Sequence, residues 1–381
     1  MYGTLLQVPV LGMEVEQFLL LLITALAGGA FGAALGALPA FIFTGFLVFL
    51  GEGLAILQRE VGAAAPEVGQ GELAAGVTGV IGFGAVTGPH IAFAGGVAAT
   101  AYAGKKYPEM EPDGWDYHFG KNILYAFGTK PDILAVGAVF GVLGMLINQV
   151  GAAVLAVGGT ALSDFIAVSV FATAFIARAV FGYPIVGNAR GDGLLDMSPF
   201  EREEPRVATD GGVGSDESDP SSEPRSDGGE VPEEHAGRLA TEPWLPHQYK
   251  WAGVTAIGLV GGILGGYIYI TTESIFLGYA ISAMSLLFLN LGVEKIPVTH
   301  HITLIGAVGA VVFLPAAGPV VALLAAGVFG AFSGLLGEVT QRMFYAHSGT
   351  HVDPPAMAIA IATTVVAVLA ILGVVPNAGY L

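Results

Sequence analysis

The chain of 381 residues contains no cysteine. This absence excludes disulfides, thiolate metal sites, iron–sulfur clusters and covalently attached c-type haem. A phosphate-binding loop of the form G-x-x-x-x-G-K-[ST] is also missing, so ATP is not expected to drive the protein directly. The zinc-peptidase motif H-E-x-x-H is missing as well. We therefore expect no cofactor and no enzymatic activity.

Charged residues are scarce and mostly acidic. They make up 12% of the chain, with 14 lysines and arginines against 31 acidic residues, which gives a formal net charge of −17. Nucleic acids and anionic lipid headgroups are bound by basic patches, so this balance excludes nucleic acid as a partner. An acidic excess with few lysines resembles the composition of proteins from a high-salt cytoplasm.

Hydrophobic residues, in contrast, make up 54% of the chain, too many for a water-soluble protein of this length. They form about eleven apolar stretches, most of which reach the roughly 17 to 25 residues that a helix needs to cross a bilayer. Alternating strands of ten residues are absent, so helices satisfy the backbone. We predict an all-α polytopic membrane protein with about 11 transmembrane helices in the lipid bilayer of the cell membrane.

The two halves of the chain contain similar segments in the same order. They are LAGGAFG at 26–32 and LVGGILG at 259–265, FGAVTGP at 83–89 and FLPAAGP at 313–319, and YAFGTKPD at 125–132 and YAHSGTHVD at 345–353. Similar segments at a nearly constant separation are the mark of an internal repeat. We predict two tandem repeats in parallel orientation, 1–186 with about six spans and 247–381 with about five.

The region between the repeats, 187–246, is strongly acidic. Its 15 acidic residues and five arginines account for −10 of the net charge of −17. Few of its residues are aromatic or β-branched, so it cannot bury enough apolar surface to fold. We predict a disordered cytoplasmic linker, with recruitment of a partner protein as an alternative role.

The basic residues predict the orientation in the membrane. If every apolar stretch crosses and the amino terminus is cytoplasmic, all 14 lysines and arginines lie inside and the carboxyl terminus lies outside. An alternative treats 73–104 as one broken span, which moves only Arg59 and the amino terminus outward. We prefer the first arrangement because an odd number of spans in the first repeat would invert the second.

Two short Gly-rich stretches meet near residue 88. Each covers only about 24 Å of helix, less than a full bilayer core. We predict two short crossings or a re-entrant pair whose irregular backbone lines a solute pathway, although close helix packing also explains the glycines. The pathway candidates are Thr87, Gly88, Pro89 and His90, with Gly318 and Pro319 at the matching position of the second repeat.

Glu52 is the most isolated charge within an apolar stretch, because it stands between Gly51 and Gly53. Charges at membrane depth are costly and are functional candidates by default. We predict that Glu52 binds a transported ion or a proton. The alternative is that Glu52 reaches toward water together with Arg59, two helical turns further along the same face.

A second group of candidates consists of histidines near the ends of two later spans. Histidines can carry protons or bind a metal together with a carboxylate. Asp353 also precedes Pro354, which is the pattern of an ordinary helix start. The candidates for proton or metal binding are His300, His301, His347, His351 and Asp353.

Duplicated membrane halves are the usual architecture of transporters, with the solute site between the repeats. The sequence therefore predicts a transporter or channel that moves a small solute or ion across the cell membrane. One alternative is a structural membrane protein that recruits a partner through its acidic linker, and another is an intramembrane metal-dependent enzyme. The solute, the coupling ion, the direction of transport and the formation of a homo-oligomer stay open.

Overall fold

The computed structural model describes residues 7–8, 10–64, 76–206, 238–378 and 380. In this part of the chain the α-helices are α1 Val15–Leu35, α2 Ala37–Ala64, α3 Ala94–Lys106, α4 Pro131–Val154, α5 Phe165–Phe181, α6 Ser198–Glu201, α7 Trp251–Thr272, α8 Phe276–Asn290, α9 His300–Phe344 and α10 Pro354–Ile371. The π-helical turns are Gly76–Gly82 and Pro89–Phe93, and the 3-10 turns are Pro108–Met110 and Phe119–Lys121. Two short hairpins pair β1 Gln7–Val8 with β2 Met13–Glu14, and β3 Ala156–Val157 with β4 Thr160–Ala161.

Six of the described helices are long and apolar enough to cross a membrane: α1, α2, α4, α7, α9 and α10. Helices α5 and α8 are apolar but shorter, with 17 and 15 residues. Many aliphatic and aromatic side chains, such as Leu20, Val139 and Val328, lie exposed on the outside of the bundle. Large exposed apolar surfaces of this kind suit contact with lipid. The fold is therefore the predicted helical membrane type, but the count of eleven crossings is not confirmed.

Helix α9 is a helical hairpin that reverses at Gly318. This glycine has φ 76° and ψ 173°, a backbone conformation that residues with a Cβ rarely adopt. Phe313 and Phe329 stack across the hairpin with ring centroids 6.1 Å apart. The hydroxyl of Ser333 donates to the carbonyl oxygen of His301 over 3.1 Å. We call residues 300–317 the first limb of α9 and residues 319–344 its second limb.

Residues 76–106 form one broken segment and do not cross twice or fold back. From Thr78 to Gly96 they run antiparallel to α2. Thr78 donates to Glu52 over 3.0 Å, the carbonyl oxygen of Thr87 accepts from Thr44 over 2.6 Å, and Gly96 packs against Ala37. The predicted pair of short crossings or re-entrant helices is therefore wrong, and the alternative single broken span agrees with the structure.

The different backbone angles of two Gly-Pro pairs explain this error. Gly88 has φ −52° and ψ 135°, so the chain extends through Gly88-Pro89 and continues in the same direction. Gly318, before Pro319, has a positive φ and reverses the chain. In the broken segment, the hydroxyl of Thr87 donates to the carbonyl oxygens of Ile81 and Gly82. These bonds satisfy carbonyl groups near the interruption of the helix.

The directions of the helices contradict the predicted parallel orientation of the two halves. Helices α2 and α8 pack antiparallel, since Arg59 near the end of α2 reaches Glu273 just before α8, over 3.1 Å, and Gly45 contacts Ala283. Tight turns at Gly36 and Glu273 reverse the chain between α1 and α2 and between α7 and α8. Helices α1 and α7, which carry the first pair of matched segments, therefore run in opposite directions.

The ends of the bundle are chemically different. One end, here called the linker end, holds residues 107–130, 182–206 and 238–250. The other, the terminal end, holds the start of α1 and the chain after α10, where Asn377 donates to Thr160 over 2.9 Å. Among the described basic residues only Arg59 lies at the terminal end. The amino-terminal region and the linker thus lie at opposite ends, which contradicts their predicted placement on the same side.

Both described flanks of the predicted linker are folded. Pro205 pairs with Leu239 in an antiparallel bridge, and the backbone N–H of Arg206 donates to Arg238 over 2.8 Å. Glu242 is fully buried at the linker end. The predicted disordered region of 187–246 is therefore too wide, and its middle, 207–237, lies outside the described residues.

Candidate functional site

Two cavities enter the bundle from its opposite ends. The linker-end cavity has a volume of about 120 Å³ and the terminal-end cavity a volume of about 340 Å³. Pro89 and Val170 line both of them. The two cavities therefore approach each other beside the interruption of the broken segment, between elements of the first and second halves of the chain.

The linker-end cavity is mainly aromatic and aliphatic. Its polar lining consists of Lys121, His300, His351 and Asp353. Its aromatic lining consists of Phe41, Phe93, Trp115, Tyr117, Trp244 and Tyr345. Apolar walls with a few converging polar groups are typical of small-molecule sites.

The terminal-end cavity has a single carboxylate in its lining, that of Asp164. The other polar groups are those of Ser163, Asn148, Tyr279 and Tyr380. Phe83, Phe165 and Phe276 supply aromatic surface. Each cavity thus contains one aspartate within a mostly apolar wall.

An aromatic layer separates the two cavities. Phe41, Phe93 and His300 line the linker-end cavity, whereas Phe83 and Tyr279 line the terminal-end cavity. Tyr279 contacts the rings of the other cavity across the gap, with centroids 6.0 Å from Phe41 and 5.6 Å from His300. Phe41 and His300 lie next to each other on the linker-end side, with centroids 4.8 Å apart. These rings lie between the two cavities, beside the Pro89 and Val170 side chains that both cavities share.

Asp353 lies in the linker-end cavity at the start of α10. Its Oδ2 accepts a hydrogen bond of 2.7 Å from the backbone N–H of Ala356, so it caps the helix. Its Oδ1 lies 3.4 Å from Nε2 of His351. The predicted helix start and the predicted proximity of His351 to Asp353 are both present in the structure.

Asp164 caps the start of α5 in the terminal-end cavity, as Asp353 caps the start of α10 in the linker-end cavity. Its Oδ1 accepts from the backbone N–H of Ala167 over 3.0 Å. Its own backbone N–H donates to Thr363, and the hydroxyl of Ser163 donates to the carbonyl oxygen of Ala360. The start of α5 therefore packs against the middle of α10, and the two helices run antiparallel.

A buried ion pair lies beside the linker-end cavity, whose lining includes Lys121. The ammonium of Lys121 lies 2.7 Å from Oε2 of Glu242, and both side chains are fully buried. Burial lowers the pKa of Lys121 to about 8, although the neighbouring carboxylate favours the charged form. Burial, together with nearby basic groups, also holds the pKa of His118 well below its ordinary value. The pair joins the loop after α3 to the chain that follows the linker.

Glu52 does not line either cavity. Its carboxylate accepts hydrogen bonds from Ser274 over 2.5 Å and from Thr78 over 3.0 Å. The side chain thus joins α2 to the turn before α8 and to the broken segment, at the terminal end. Its place among the predicted pathway residues is therefore not supported by the geometry.

Among the predicted turn residues, only Pro89 lines the cavities. Thr87 and Gly88 build the interruption next to it, and His90 is buried in helix packing outside the cavity linings. Gly318 and Pro319 lie at the terminal end, beside Val320, which is 72% exposed. The second Gly-Pro pair therefore belongs to a surface turn and not to a pathway.

The predicted histidine cluster is divided in space. His300 and His351 line the linker-end cavity, whereas His347 contacts the carbonyl oxygen of Leu194 and His301 packs close to Gly337. Within the described ranges, no three His, Cys, Asp or Glu side chains lie close enough to hold a metal ion. The metal-dependent enzyme proposed as an alternative thus finds no site in this part of the chain.

Sequence reasoning missed Asp164, the Lys121–Glu242 pair and the aromatic layer. For Asp164 a signal exists, because an aspartate just before an apolar run is a typical helix cap, and it has the same place as Asp353. Lys121 and Glu242 are far apart in the sequence, and nothing local in either segment indicates their contact.

The chain was also compared with known proteins. No curated protein and no solved structure is significantly similar to it. A family profile described as a family of unknown function (DUF7973) matches residues 10–381, almost the whole chain. The chain therefore belongs to the DUF7973 family.

Proposed function

We propose that this protein is a membrane transporter for a small solute or ion, and that its two cavities are the two halves of one path. The observation that carries the proposal is the approach of the cavities from opposite ends to Pro89 and Val170, with an aromatic layer between them. A path that is closed in its middle suits a carrier better than an open channel.

The proposal includes an internal duplication in inverted orientation. The glycines of α1 at 28, 29 and 32 correspond to those of α7 at 261, 262 and 265. The glycines of α4 at 137, 141 and 144 correspond to those in the second limb of α9 at 330, 334 and 337. In both comparisons, the spacing of the three glycines in the first half is the same as the spacing of their counterparts in the second half.

The contacts of these glycines support the same correspondence. Gly29 packs against Gly95 and Gly137, and Gly262 packs against Gly306 and Gly330. The carbonyl oxygen of His90 lies over Gly144, and the ring of His301 lies over Gly337. The pattern assigns five segments to each half: α1, α2, 76–106, α4 and α5, then α7, α8, the two limbs of α9, and α10.

Halves of five segments give inverted topology, which is a common architecture of secondary transporters. In such proteins, the path between the halves opens alternately to the two sides of the membrane. The linker end carries nearly all described basic residues, so we assign it to the cytoplasm by the positive-inside rule. The start of α1 and the described residues after α10 then lie outside.

The natural absence of cysteine permits a direct test of the path. Leu245→Cys places a thiol in the linker-end cavity and Ile166→Cys places one in the terminal-end cavity. We expect a membrane-impermeant maleimide to modify Leu245→Cys only from the cytoplasmic side and Ile166→Cys only from the outside. Ala99→Cys, which is fully buried and lines neither cavity, is the matched control and should stay unmodified.

Modification of both cavity thiols from the same side would contradict the two-ended path. Flux of radiolabelled ions, amino acids and organic acids into liposomes that contain the purified protein tests transport itself. Absence of flux across the whole panel, with the thiols labelled as expected, would leave the path intact but overturn the transport assignment.

Weakening the aromatic layer is expected to let ions leak through the protein. Phe41→Ala removes the ring that contacts Phe93, Tyr279 and His300, so water is expected to join the two cavities. Because apolar constrictions close a path by excluding water, we expect passive ion flux through liposomes to rise about tenfold or more. Phe49→Ala, on the exposed side of the same helix, should leave the flux unchanged. Equal flux through both variants would show that the layer is not a barrier.

A further inference from the structure

The charges that face the two cavities differ from those of the protein surface. Asp164 is the only acidic or basic residue that lines the terminal-end cavity. In the linker-end cavity the ammonium of Lys121 is paired with Glu242, which leaves Asp353 as the unneutralised charge when the histidines are neutral. Both cavities therefore present one negative charge in an apolar wall, which favours cations over anions.

The two aspartates hold equivalent places. Asp164 caps α5 and Asp353 caps α10, and these helices pack antiparallel to each other across the seam between the halves. In the proposed inverted duplication, α5 and α10 are the fifth segments of their halves. The carboxylates thus form a pair, with one in each cavity.

The lining of the linker-end cavity holds two unpartnered imidazole nitrogens and few oxygen ligands. His351 is 1% exposed and His300 is 6% exposed, both line the cavity, and Nδ1 of each has no hydrogen-bond partner. In either tautomer this nitrogen can form a hydrogen bond with water in the cavity. A metal cation requires several oxygen ligands in place of its water, and the mainly aromatic and aliphatic wall offers few.

We propose that transport by this protein is coupled to protons, and that Asp164 and Asp353 are the proton-binding carboxylates of the terminal-end and linker-end cavities. This inference rests on the proposed transport function. Each carboxylate takes up one proton from the water in its cavity and becomes a neutral carboxylic acid. The same proton is released when the acid ionises, so the step needs no other reactant.

Several titratable groups surround each carboxylate. Around Asp353 they are His351, His300, Tyr117, Tyr345 and the Lys121–Glu242 pair, while Arg178 lies behind the lining and donates to Thr350 and to the carbonyl oxygen of Phe344. Around Asp164 they are Tyr279 and Tyr380. A positive charge on His300 or His351 would oppose the uptake of a proton by Asp353, so in the proposed step both imidazoles stay neutral.

Charge displacement on a solid-supported membrane tests the proposal without a known solute. Purified protein in liposomes is exposed to rapid pH steps at constant sodium concentration. We expect a transient current in the natural protein, about half of it in Asp164→Asn or in Asp353→Asn, and none in the double variant, because the bound protons are shared by two groups. Asparagine also caps helices, so these variants should fold.

Asp132→Asn is the matched control. Asp132 also lies in the first turn of a helix, but its carboxylate is paired with Lys106 at 3.0 Å and lies outside both cavities. Its variant should give the full current. The inference is overturned if the natural protein gives no current on pH steps, if the asparagine variants keep it, or if sodium steps at constant pH produce it instead. The labelling of cavity thiols, which tests the path, is independent of these outcomes.

Discussion

Replacement of Gly144 with alanine is expected to destabilise the protein by about 3 kcal/mol or more, because overfilling a close-packed interior forces its neighbours to move. A Cβ built on Gly144 would lie 1.7 Å from the carbonyl oxygen of His90. That atom belongs to the backbone of the broken segment, so the clash cannot be relieved by rotating a side chain. Thermal unfolding in detergent, followed by the monomer peak in gel filtration, measures the loss.

Gly53→Ala is the matched control, because Gly53 lies within α2 and has no atom within 4 Å of a built Cβ. This variant should gain stability, up to about 1 kcal/mol, since alanine is the better helix former. A Cβ on Gly337, the proposed counterpart of Gly144, would meet side-chain atoms only, the nearest being a ring atom of His301 at 3.2 Å. Gly337→Ala should therefore fall between the two. Equal melting temperatures for Gly144→Ala and Gly53→Ala would contradict the close approach of His90.

Replacement of Lys121 with methionine is expected to cost about 3 to 5 kcal/mol, because it leaves the buried carboxylate of Glu242 without its ionic partner. In the double variant Lys121→Met with Glu242→Leu, most of this loss should disappear, since two apolar side chains of similar volume replace the buried pair. The measurement is a double-mutant cycle of thermal unfolding in detergent.

Lys106→Met provides the comparison for a surface ion pair. Lys106 lies 3.0 Å from Asp132, but half of its side chain is exposed, so water screens the pair and its loss should cost far less than that of Lys121. If Lys121→Met lost no more stability than Lys106→Met, the Lys121–Glu242 pair would not be a stabilising contact. If the double variant were as unstable as the single one, the cost would come from packing and not from an unpaired charge.

Length and composition were enough to predict helices of membrane type. The orientation of the second half relative to the first could not be predicted in this way. It depends on the backbone angles at Gly88, where an extended conformation continues the chain and a positive φ would reverse it. Glycine adopts both conformations readily, so the residues alone do not decide between five and six segments.

The candidate site was predicted in part. Pro89, His300, His351 and Asp353 were selected from the sequence, and all of them line a cavity. Glu52 was selected because it interrupts an apolar stretch, but its partners Ser274 and Thr78 come from segments distant in the chain. The aromatic layer was not predicted, because phenylalanine and tyrosine are common throughout the apolar stretches and only the packing distinguishes those in the seam.

The glycine contacts within each half also limit which parts of the protein can shift. Where Gly29 meets Gly137 and Gly262 meets Gly330, backbone lies against backbone, and no side-chain rotamer is available to absorb a displacement. The three segments that meet at these glycines therefore form a stiff unit in each half. They are α1, 76–106 and α4 in the first half, and α7 and the two limbs of α9 in the second. Between the halves, Gly45 of α2 also lies against backbone of α8, whereas the start of α5 meets α10 through the side chains of Ser163 and Thr363. Sliding is therefore easiest between α5 and α10, and a displacement there would change the width of the space beside Pro89 first.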